Sequence, residues 1–398
     1  MTLDSIATIR SRETSMTQPP SSRVYILGLV GIIALAAALP LRAVAAPGLG
    51  PVVTTEDGGQ IFGFDIDAHG NDGVLSSSQD MPNGDVLSSV ETFNQTTGKI
   101  VKKVLVRRNQ TDFVTVGIFA NDVGLVNHEL DHGVREYGVM DPVKRNAFTR
   151  RWTPPVNPIE VLERADNQET TTSVLYAIEL FNQDVPDLIV SDVASNTFSR
   201  IIHLDPNTFG LNDGPRIAQD TANNKAVIAT SPDGGTVGGS VPLIATINLA
   251  NGKMKSFNGV VTGLFHSGFV NGLAVDSTTG IACTTTELDA DVEFYDLAHG
   301  TGHFVSLPNA GGNQAETGAA VVSDSIHHLF LVAQPNSSIS SGSTIYVYRE
   351  NGDLLESING FSFSNAFSVI AARIALNPSK RIGFVNGPDI TQLQGFSY

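Results

Sequence analysis

A unit of about fifty residues recurs along most of this chain, and no other feature of the sequence restricts its fold as strongly. The stretch from Val270 to Leu307 shows the unit most clearly. It contains four short apolar segments, each separated from the next by a polar or glycine-containing turn: Leu273–Asp276, Ile281–Thr285, Val292–Leu297 and His303–Leu307. This pattern predicts a small sheet of four antiparallel strands.

Two independent patterns define the repeat. In the first, a strand ends in an acid or Asn and a turn leads to an apolar strand; the final residues are Asp220, Asp276, Asp324 and Asn377, with steps of 56, 48 and 53 residues. In the second, a strand leads to a glycine turn; the glycines are Gly98, Gly252, Gly300 and Gly352, with steps of 154, 48 and 52 residues. The step of 154 equals three units, and Asp-Pro turns at Asp141 and Asp205 fill the gap.

A four-stranded sheet of this kind cannot bury both of its faces alone, and its outer strands would pair with other chains. Radial packing of several copies covers the faces. We therefore predict an all-β fold, a seven-bladed β-propeller over residues 61–398, with six blades as the near alternative. Residues 46–60 form a linker rich in Gly and Pro. The last repeat lacks a strand, and residues near Thr54–Ile61 are expected to supply it and close the ring.

Residues 1–45 form a separate leader in this prediction. A polar start precedes Arg23, an apolar run to Leu41 and the small-residue end Ala43–Ala45, which together indicate a signal peptide cleaved before Ala46. Translation from Met16 instead of Met1 would give a leader of more ordinary length. The alternative is an uncleaved anchor helix, because about 18 apolar residues suffice to span a bilayer. The predicted location is therefore periplasmic, secreted or at the cell surface.

Charge and cysteine content exclude several functions. The formal charge is −16, and since the first 45 residues carry a local +2, the remainder carries about −18. Such a surface repels phosphate backbones, so we expect no nucleic-acid partner. Cys283 is the only cysteine, which excludes an intrachain disulfide and a thiolate metal cage, and its apolar surroundings predict a buried structural thiol.

The segment His128–His132 matches the zincin pattern H-E-x-x-H, which requires a helix to place both histidines on one face. Its context predicts strand, turn and strand instead. Residues 129–137 also align without gaps with residues 287–295, three repeats later, sharing E-L-D-x-x-V-x-x-Y. Both segments are predicted to join the second and third strands of a blade, on the face that surrounds the channel mouth. The acids there suit Ca²⁺; ordinary solvated turns are the alternative explanation.

The repeats resemble the exported bacterial β-propeller superfamily that includes YVTN-repeat proteins and the gluconolactonase and regucalcin group. In the lactonases of that group, acids and an Asn hold a divalent cation on the channel axis. The segment Val270–Ala274 is similar to the one that carries their Asn, and Glu316 stands where the next blade would present an acid. The resemblance thus implies a metal site, and with the channel-mouth acids the predicted ligands are Glu129, Asp131, Asn271, Glu287, Asp289 and Glu316.

Two functions follow as hypotheses. The first is an extracytoplasmic binding or interaction module, whose ligand at the channel mouth is a small molecule, a glycan or a protein. The second is a metal-dependent hydrolase acting on lactones or phosphoesters, with Ca²⁺ as its possible cofactor. The sequence identifies no catalytic residue and no complete catalytic constellation, and this favours the first hypothesis.

Overall fold

The computed structural model describes 46–82, 86–108, 115–119, 123–129, 135–140, 150–152, 159–166, 172–179, 182–192, 195, 197–205, 209, 215–230, 243–259, 270–286, 291–308, 320–334, 343–361, 373–386 and 391–398. Side chains are described for fewer of these residues, mainly outside 105–164. The predicted leader, 1–45, lies outside the described residues. The described residues contain no helix of the length and hydrophobicity needed to cross a membrane.

The described strands, β1 to β28 in chain order, fall into seven antiparallel sheets of four. Sheet 1 holds β2 (Gln60–Ile66), β3 (Asp72–Asp80), β4 (Val86–Asn94) and β5 (Ile100–Arg108). Sheet 2 holds β6 (Thr115–Phe119), β7 (Val123–Glu129), β8 (Arg135–Met140) and β9 (Arg150–Trp152). Sheet 3 holds β10 (Ile159–Asp166), β11 (Thr172–Glu179), β12 (Asn182–Asp192) and β13 (Thr197–His203). Sheet 4 holds β14 (Arg216–Asp220), β15 (Lys225–Thr230), β16 (Leu243–Asn248) and β17 (Met254–Asn258).

The last three sheets follow the same plan, with one difference at the end of the chain. Sheet 5 holds β18 (Val270–Asp276), β19 (Ile281–Thr286), β20 (Asp291–Asp296) and β21 (Thr301–Ser306). Sheet 6 holds β22 (Ala320–Asp324), β23 (Leu329–Gln334), β24 (Ser343–Arg349) and β25 (Leu354–Phe361). Sheet 7 holds β26 (Ile374–Asn377), β27 (Ile382–Asn386), β28 (Gln392–Ser397) and, as its fourth strand, β1 (Gly48–Thr54).

The sheets pack around a common axis. The first strand of each sheet contacts the first strand of the next, and the series β2, β6, β10, β14, β18, β22, β26 returns to β2. These seven strands are therefore the innermost, and the fourth strands are the outermost. The predicted all-β propeller architecture is confirmed by this arrangement. The ring closes where β1 pairs with β28, from Gly48 opposite Ser397 to Thr54 opposite Gln392, so the two ends of the described chain share one sheet.

Burial follows position in the sheet. The second strands whose side chains are described, β3, β15, β19, β23 and β27, are mostly buried. β23 is buried along its whole length, which explains why its sequence is apolar from Leu329 to Ala333 without alternation. The outermost β21 is exposed at nearly every residue. Cys283, on the second strand of sheet 5, is fully buried, as its apolar surroundings predict. Burial is the main cause that raises the pKa of its thiol well above the ordinary value.

The strands of each sheet begin and end at two opposite ends of the sheet. We call these two ends its edges, as distinct from its edge strands. One edge carries the turns between first and second strands and between third and fourth strands; we call it the turn edge. The opposite edge, the loop edge, carries the connections from second to third strand and from sheet to sheet. The glycine pattern is explained at the turn edge: Gly98, Gly252, Gly300 and Gly352 all follow third strands and have φ between 68° and 84°, a conformation that favours glycine.

Candidate metal centre

The acid or Asn that ends the innermost strand in each of sheets 4 to 7 is buried at the turn edge and shapes the turn that follows. Asp276, at the end of β18, has a fully buried side chain. Its Oδ1 accepts hydrogen bonds from the backbone N–H of Thr278 at 2.9 Å and from the Thr278 hydroxyl at 2.6 Å. Asp324 caps the next turn in the same way, with the N–H groups of Ile326 and His327 each at 3.0 Å. This is the physical reason for the first repeat pattern: a short carboxylate stabilises the turn it precedes.

The second oxygen of Asp276 is then free to face the neighbouring sheet. The Nδ1 of His328, in the turn between β22 and β23, lies 2.8 Å from Oδ2 of Asp276, where an N–H donates to the carboxylate. His328 has φ 56°, and the last residue of the equivalent turns in sheets 4, 5 and 7 is also left-handed: Asn224, Gly280 and Arg381. The turn geometry of the repeat thus fixes the backbone of His328.

A second carboxylate completes the cluster. Glu350 follows β24 at the same edge of sheet 6, and the hydroxyl of Thr279, in the turn after Asp276, donates to its Oε1. One possible ligand atom from each of Asp276, His328 and Glu350 lies within 4.8 Å of the other two. Among the described residues, this is the one group of three or more acids, histidines or cysteines that converges in this way.

The three groups shift one another's proton affinity. Burial alone would raise the pKa of Asp276, but the hydrogen bonds from Thr278 and His328 outweigh it and lower the pKa below the ordinary value. The hydrogen bond to Asp276 raises the pKa of the His328 imidazole. Burial raises the pKa of Glu350, and the nearby Asp276 carboxylate raises it further. The cluster therefore holds an ionised Asp276 next to an imidazole that takes a proton readily.

A cavity of about 210 Å³ adjoins this cluster through Glu350. Its wall includes Phe294 and Tyr295 of β20 and His303 of β21. The rings of Phe294 and His303 stack with centroids 5.3 Å apart. The cavity therefore combines aromatic surface with a carboxylate, and it provides a space beside Glu350 that is large enough for several water molecules or a small ligand.

The predicted loop-edge ligands are only partly covered by the structure. Asn271, the second residue of β18, and Glu129, the last residue of β7, both stand at the loop edge of their sheets. The carbonyl oxygen of Asn271 accepts a hydrogen bond from Nε of Arg216, at the start of β14, at 3.0 Å. Asp131, Glu287, Asp289 and Glu316 lie outside the described residues. The loop-edge metal site stays a prediction.

The H-E-x-x-H segment begins in a strand, as its context predicts. His128 and Glu129 are the last two residues of β7, where they pair with Glu136 and Arg135 of β8. His132 lies outside the described residues. Because the backbone of both residues is extended, they do not have the helical geometry that zincin ligands require.

Sequence reasoning did not identify His328 or Glu350 as site residues. The adjacent histidines 327 and 328 look like a strand entry, which would point them to opposite faces. They lie instead in a four-residue turn, and each binds a different carboxylate: His327 Nδ1 is 2.7 Å from Asp324 Oδ2, on its own sheet, whereas His328 reaches Asp276 on the neighbouring sheet. One sequence signal could have shown that residue 328 lies in a turn. It is the fourth residue after Asp324, and the fourth residue after Asp276, one repeat earlier, is Gly280.

Fold and turn-edge geometry together define a repeat protein of the β-propeller class. No protein-family model matches the sequence. No curated protein matches it either. Among solved structures, the chain is similar to the structure of U3-55K, with a TM-score of 0.61 and 10% identity over 89% of this chain and 100% of that chain.

Two further propellers give the same result. The crystal structure of the RRP9 WD40 repeats has a TM-score of 0.61 and 10% identity, covering 88% of this chain and 98% of its own. The crystal structure of the Mitotic Checkpoint Complex contains a chain with a TM-score of 0.59 and 10% identity, covering 98% and 99%. At this level of identity the similarity establishes the propeller fold and no more.

Proposed function

We propose that this protein is a binding and interaction module that works outside the cytoplasm and uses the outer rim of its propeller to contact a protein partner. The observation that carries this proposal is the distribution of exposed apolar side chains. Of the nine large hydrophobic residues that are exposed in the described part of the chain, seven lie on outermost strands: Leu49, Val52, Val101, Met254, Phe304, Leu354 and Leu355. Apolar groups that recur at one structural position form a surface suited to association.

The turn edge supports the same conclusion, because its polar groups are already used for bonds between neighbouring sheets. Its polar groups bond one sheet to the next, as when Gln219 donates to the carbonyl oxygens of Ala165 at 2.6 Å and Thr172 at 3.0 Å. Ser323 likewise donates to the carbonyl of Val275 at 2.7 Å. These groups hold the ring together and leave the rim to make contacts. A rigid closed ring with an apolar rim presents a preformed surface, so binding to it costs little conformational entropy.

The rim can be tested by in-cell crosslinking of the full-length protein in its native host. We expect the triple variant Phe304→Ser, Leu354→Ser, Leu355→Ser to lose a protein crosslink that the wild type forms, with an unchanged melting temperature. Ile326→Ser is the matched control, because Ile326 is more exposed than these three residues but lies in a turn. A wild type that forms no crosslink, or a triple variant that keeps it, would contradict the proposal.

Export is part of the proposal and is supported by the sequence of residues 23–46. Mass spectrometry of the protein recovered from its host tests it directly. We expect a mature N-terminus at Ala46. An intact terminus at Met1 or Met16 would show that the leader is retained and would favour the anchored alternative.

The hydrolase alternative depends on the predicted ligands Glu129, Asp131, Asn271, Glu287, Asp289 and Glu316. Its test is turnover of chromogenic lactones and phosphoesters with and without Ca²⁺. Hydrolysis that requires the cation and is lost in Asn271→Ala would favour the hydrolase over the interaction module. The more specific resemblance to the YVTN and gluconolactonase group belongs to this alternative.

A further inference from the structure

Four histidines in the described part of the chain bind an aspartate through Nδ1, and this allows a comparison within one protein. The pairs are His203–Asp187, His299–Asp296, His327–Asp324 and His328–Asp276, with distances between 2.6 and 2.8 Å. In three of them no second carboxylate approaches closely enough to form a cluster within the described residues. The group that joins the pair of His327 and Asp324 is instead the hydroxyl of Tyr398, which lies 2.9 Å from Oδ2 of Asp324. The pair at His328 differs because Glu350 joins it.

We propose that Asp276, His328 and Glu350 bind a divalent cation of the zinc or manganese class at the turn edge, between sheets 5 and 6. An imidazole nitrogen and two carboxylate oxygens are a ligand set that suits Zn²⁺ and Mn²⁺, whereas Ca²⁺ prefers oxygen ligands alone. This site is distinct from the predicted loop-edge site, since its residues stand at the opposite edge of the sheets and include none of the loop-edge ligands.

The ligands are held in place before any ion binds. Thr278 fixes the Asp276 carboxylate with two hydrogen bonds, and the left-handed turn fixes the backbone of His328. Thr279 holds Glu350 from the adjacent sheet. Ordering these side chains therefore costs little when the ion binds. Because the ligands come from two sheets, the ion would also link sheet 5 to sheet 6.

The coordination is open on one side. Asp276 is buried, but the His328 side chain is 51% exposed, and Glu350 borders the cavity of about 210 Å³. An ion can therefore enter from solvent. Three protein ligands leave at least one position for water in a tetrahedral zinc site. The chemistry is that of an exchangeable site, in contrast to a closed structural cage.

Isothermal titration calorimetry of the untagged, full-length protein after treatment with a chelator tests this directly. We expect the wild type to bind one equivalent of Zn²⁺ or Mn²⁺. The variants His328→Asn and Glu350→Gln should bind this ion at least about tenfold more weakly. Even the loss of a hydrogen-bond partner of a metal ligand lowers metal affinity about 10- to 100-fold, and these variants lose a ligand itself. Asn is the chosen replacement because Asn224 occupies the equivalent left-handed position in sheet 4. Ca²⁺ is the comparison ion, and we expect weaker binding.

His327→Asn is the matched control, since His327 is adjacent and also binds an aspartate. It should keep the wild-type affinity. Melting temperature with and without the ion gives a second readout, with an increase expected for the wild type and His327→Asn only. The proposal is overturned if neither Zn²⁺ nor Mn²⁺ binds, if His328→Asn and Glu350→Gln bind as tightly as the wild type, or if His327→Asn loses the ion equally.

Discussion

Asn377 in sheet 7 and Asp276 in sheet 5 occupy the same position, the last residue of an innermost strand, and both are fully buried. They bond to their neighbours with opposite polarity. The amide Nδ2 of Asn377 donates to the carbonyl oxygens of Asp67 at 2.9 Å and Gly70 at 3.2 Å, and to Oε1 of Gln95 at 2.9 Å. The second oxygen of Asp276 can only accept, and it receives the imidazole of His328.

The difference shows what each position does. At the closure of the ring, the neighbouring turn of sheet 1 presents oxygens, so an amide that donates is required. Between sheets 5 and 6, the neighbouring turn presents a histidine, and a carboxylate accepts from it. Both residues use their Oδ1 to cap their own turn: the N–H of Lys380 bonds to Asn377 at 3.2 Å, and that of Thr278 to Asp276 at 2.9 Å. Of the two sheets compared, the cap is the same and the outward atom differs, and of these two residues only Asp276 carries a charge.

The largest expected effect comes from replacing the hydrogen-bond donor of residue 377, where sheet 7 meets sheet 1, with an acceptor. Asn377→Asp keeps the shape and the turn cap but replaces a donor with a buried carboxylate that faces three oxygens. We expect a loss of about 3 kcal/mol in the free energy of unfolding, measured by urea denaturation at pH 7, because buried polar groups without partners cost about 1 to 3 kcal/mol each.

Asn251→Asp provides the control for this exchange. Asn251 is exposed in a turn, and its side-chain oxygen already accepts the N–H of Lys253 at 2.9 Å, so the same chemical change should alter stability by less than about 0.5 kcal/mol. Equal effects of the two variants would show that the polarity of residue 377 does not matter for closure.

A smaller effect is expected at the other side of sheet 7. The hydroxyl of Tyr398, the last residue, donates to Oδ2 of the buried Asp324 in sheet 6 at 2.9 Å. Burial, followed by the charge of Asp324, raises the pKa of Tyr398, so this hydroxyl stays protonated and remains a donor. Tyr398→Phe should cost about 1.5 to 2 kcal/mol, because hydrogen bonds to charged groups contribute about 1.5 to 3 kcal/mol.

Tyr346→Phe is the matched variant for Tyr398. Its hydroxyl donates to a neutral acceptor, the carbonyl of Pro308, at 3.1 Å, and the expected cost is nearer 1 kcal/mol. Urea denaturation of both variants gives the comparison. If Tyr398→Phe costs no more than Tyr346→Phe, the charge on Asp324 contributes nothing to holding sheet 7 against sheet 6.

Much of this fold could be read from the sequence because it is set by local, repeated chemistry. Asp276, Asp324 and Asn377 mark the ends of innermost strands since a short side-chain oxygen caps the turn that follows, and this cap depends only on neighbouring residues. The glycines of the third-to-fourth turns are equally local. A strand near Thr54–Ile61 was expected because the last repeat is one strand short. The strand that pairs with β28 is β1, Gly48–Thr54, which ends where the expected segment begins.

The cluster at Asp276 could not be predicted in the same way. Its members are separated by 52 and 22 residues, and they meet only because the turns of adjacent sheets lie next to each other. The two adjacent histidines were expected at a strand entry, where adjacent side chains point to opposite faces of the sheet. Their true position in a turn depends on the left-handed backbone at residue 328, and no residue type in the segment requires it, since His is far less suited to that conformation than Gly.

The smallest effect is the pH dependence of the contact between Asp276 and His328, measured with a chelator present so that no ion contributes. The pKa of His328 is raised from an ordinary 6.5, so its contribution to stability is complete below that pH and is lost as the pH rises through the raised value. The pKa of Asp276 is lowered from an ordinary 3.8, so its contribution is complete above that pH and is lost as the pH falls through the lowered value.

The wild type should therefore exceed His328→Asn in stability most between about pH 4 and 6.5, and the difference should shrink at higher pH. It should stay below about 1 kcal/mol and fall with added salt, because the His328 side chain is 51% exposed. Glu350 and Asp324 also face the imidazole and favour its charged form. A difference that is constant from pH 5 to pH 9 would mean that the imidazole is neutral throughout, and the contrast with the uncharged Asn377 would then reduce to hydrogen-bond direction alone.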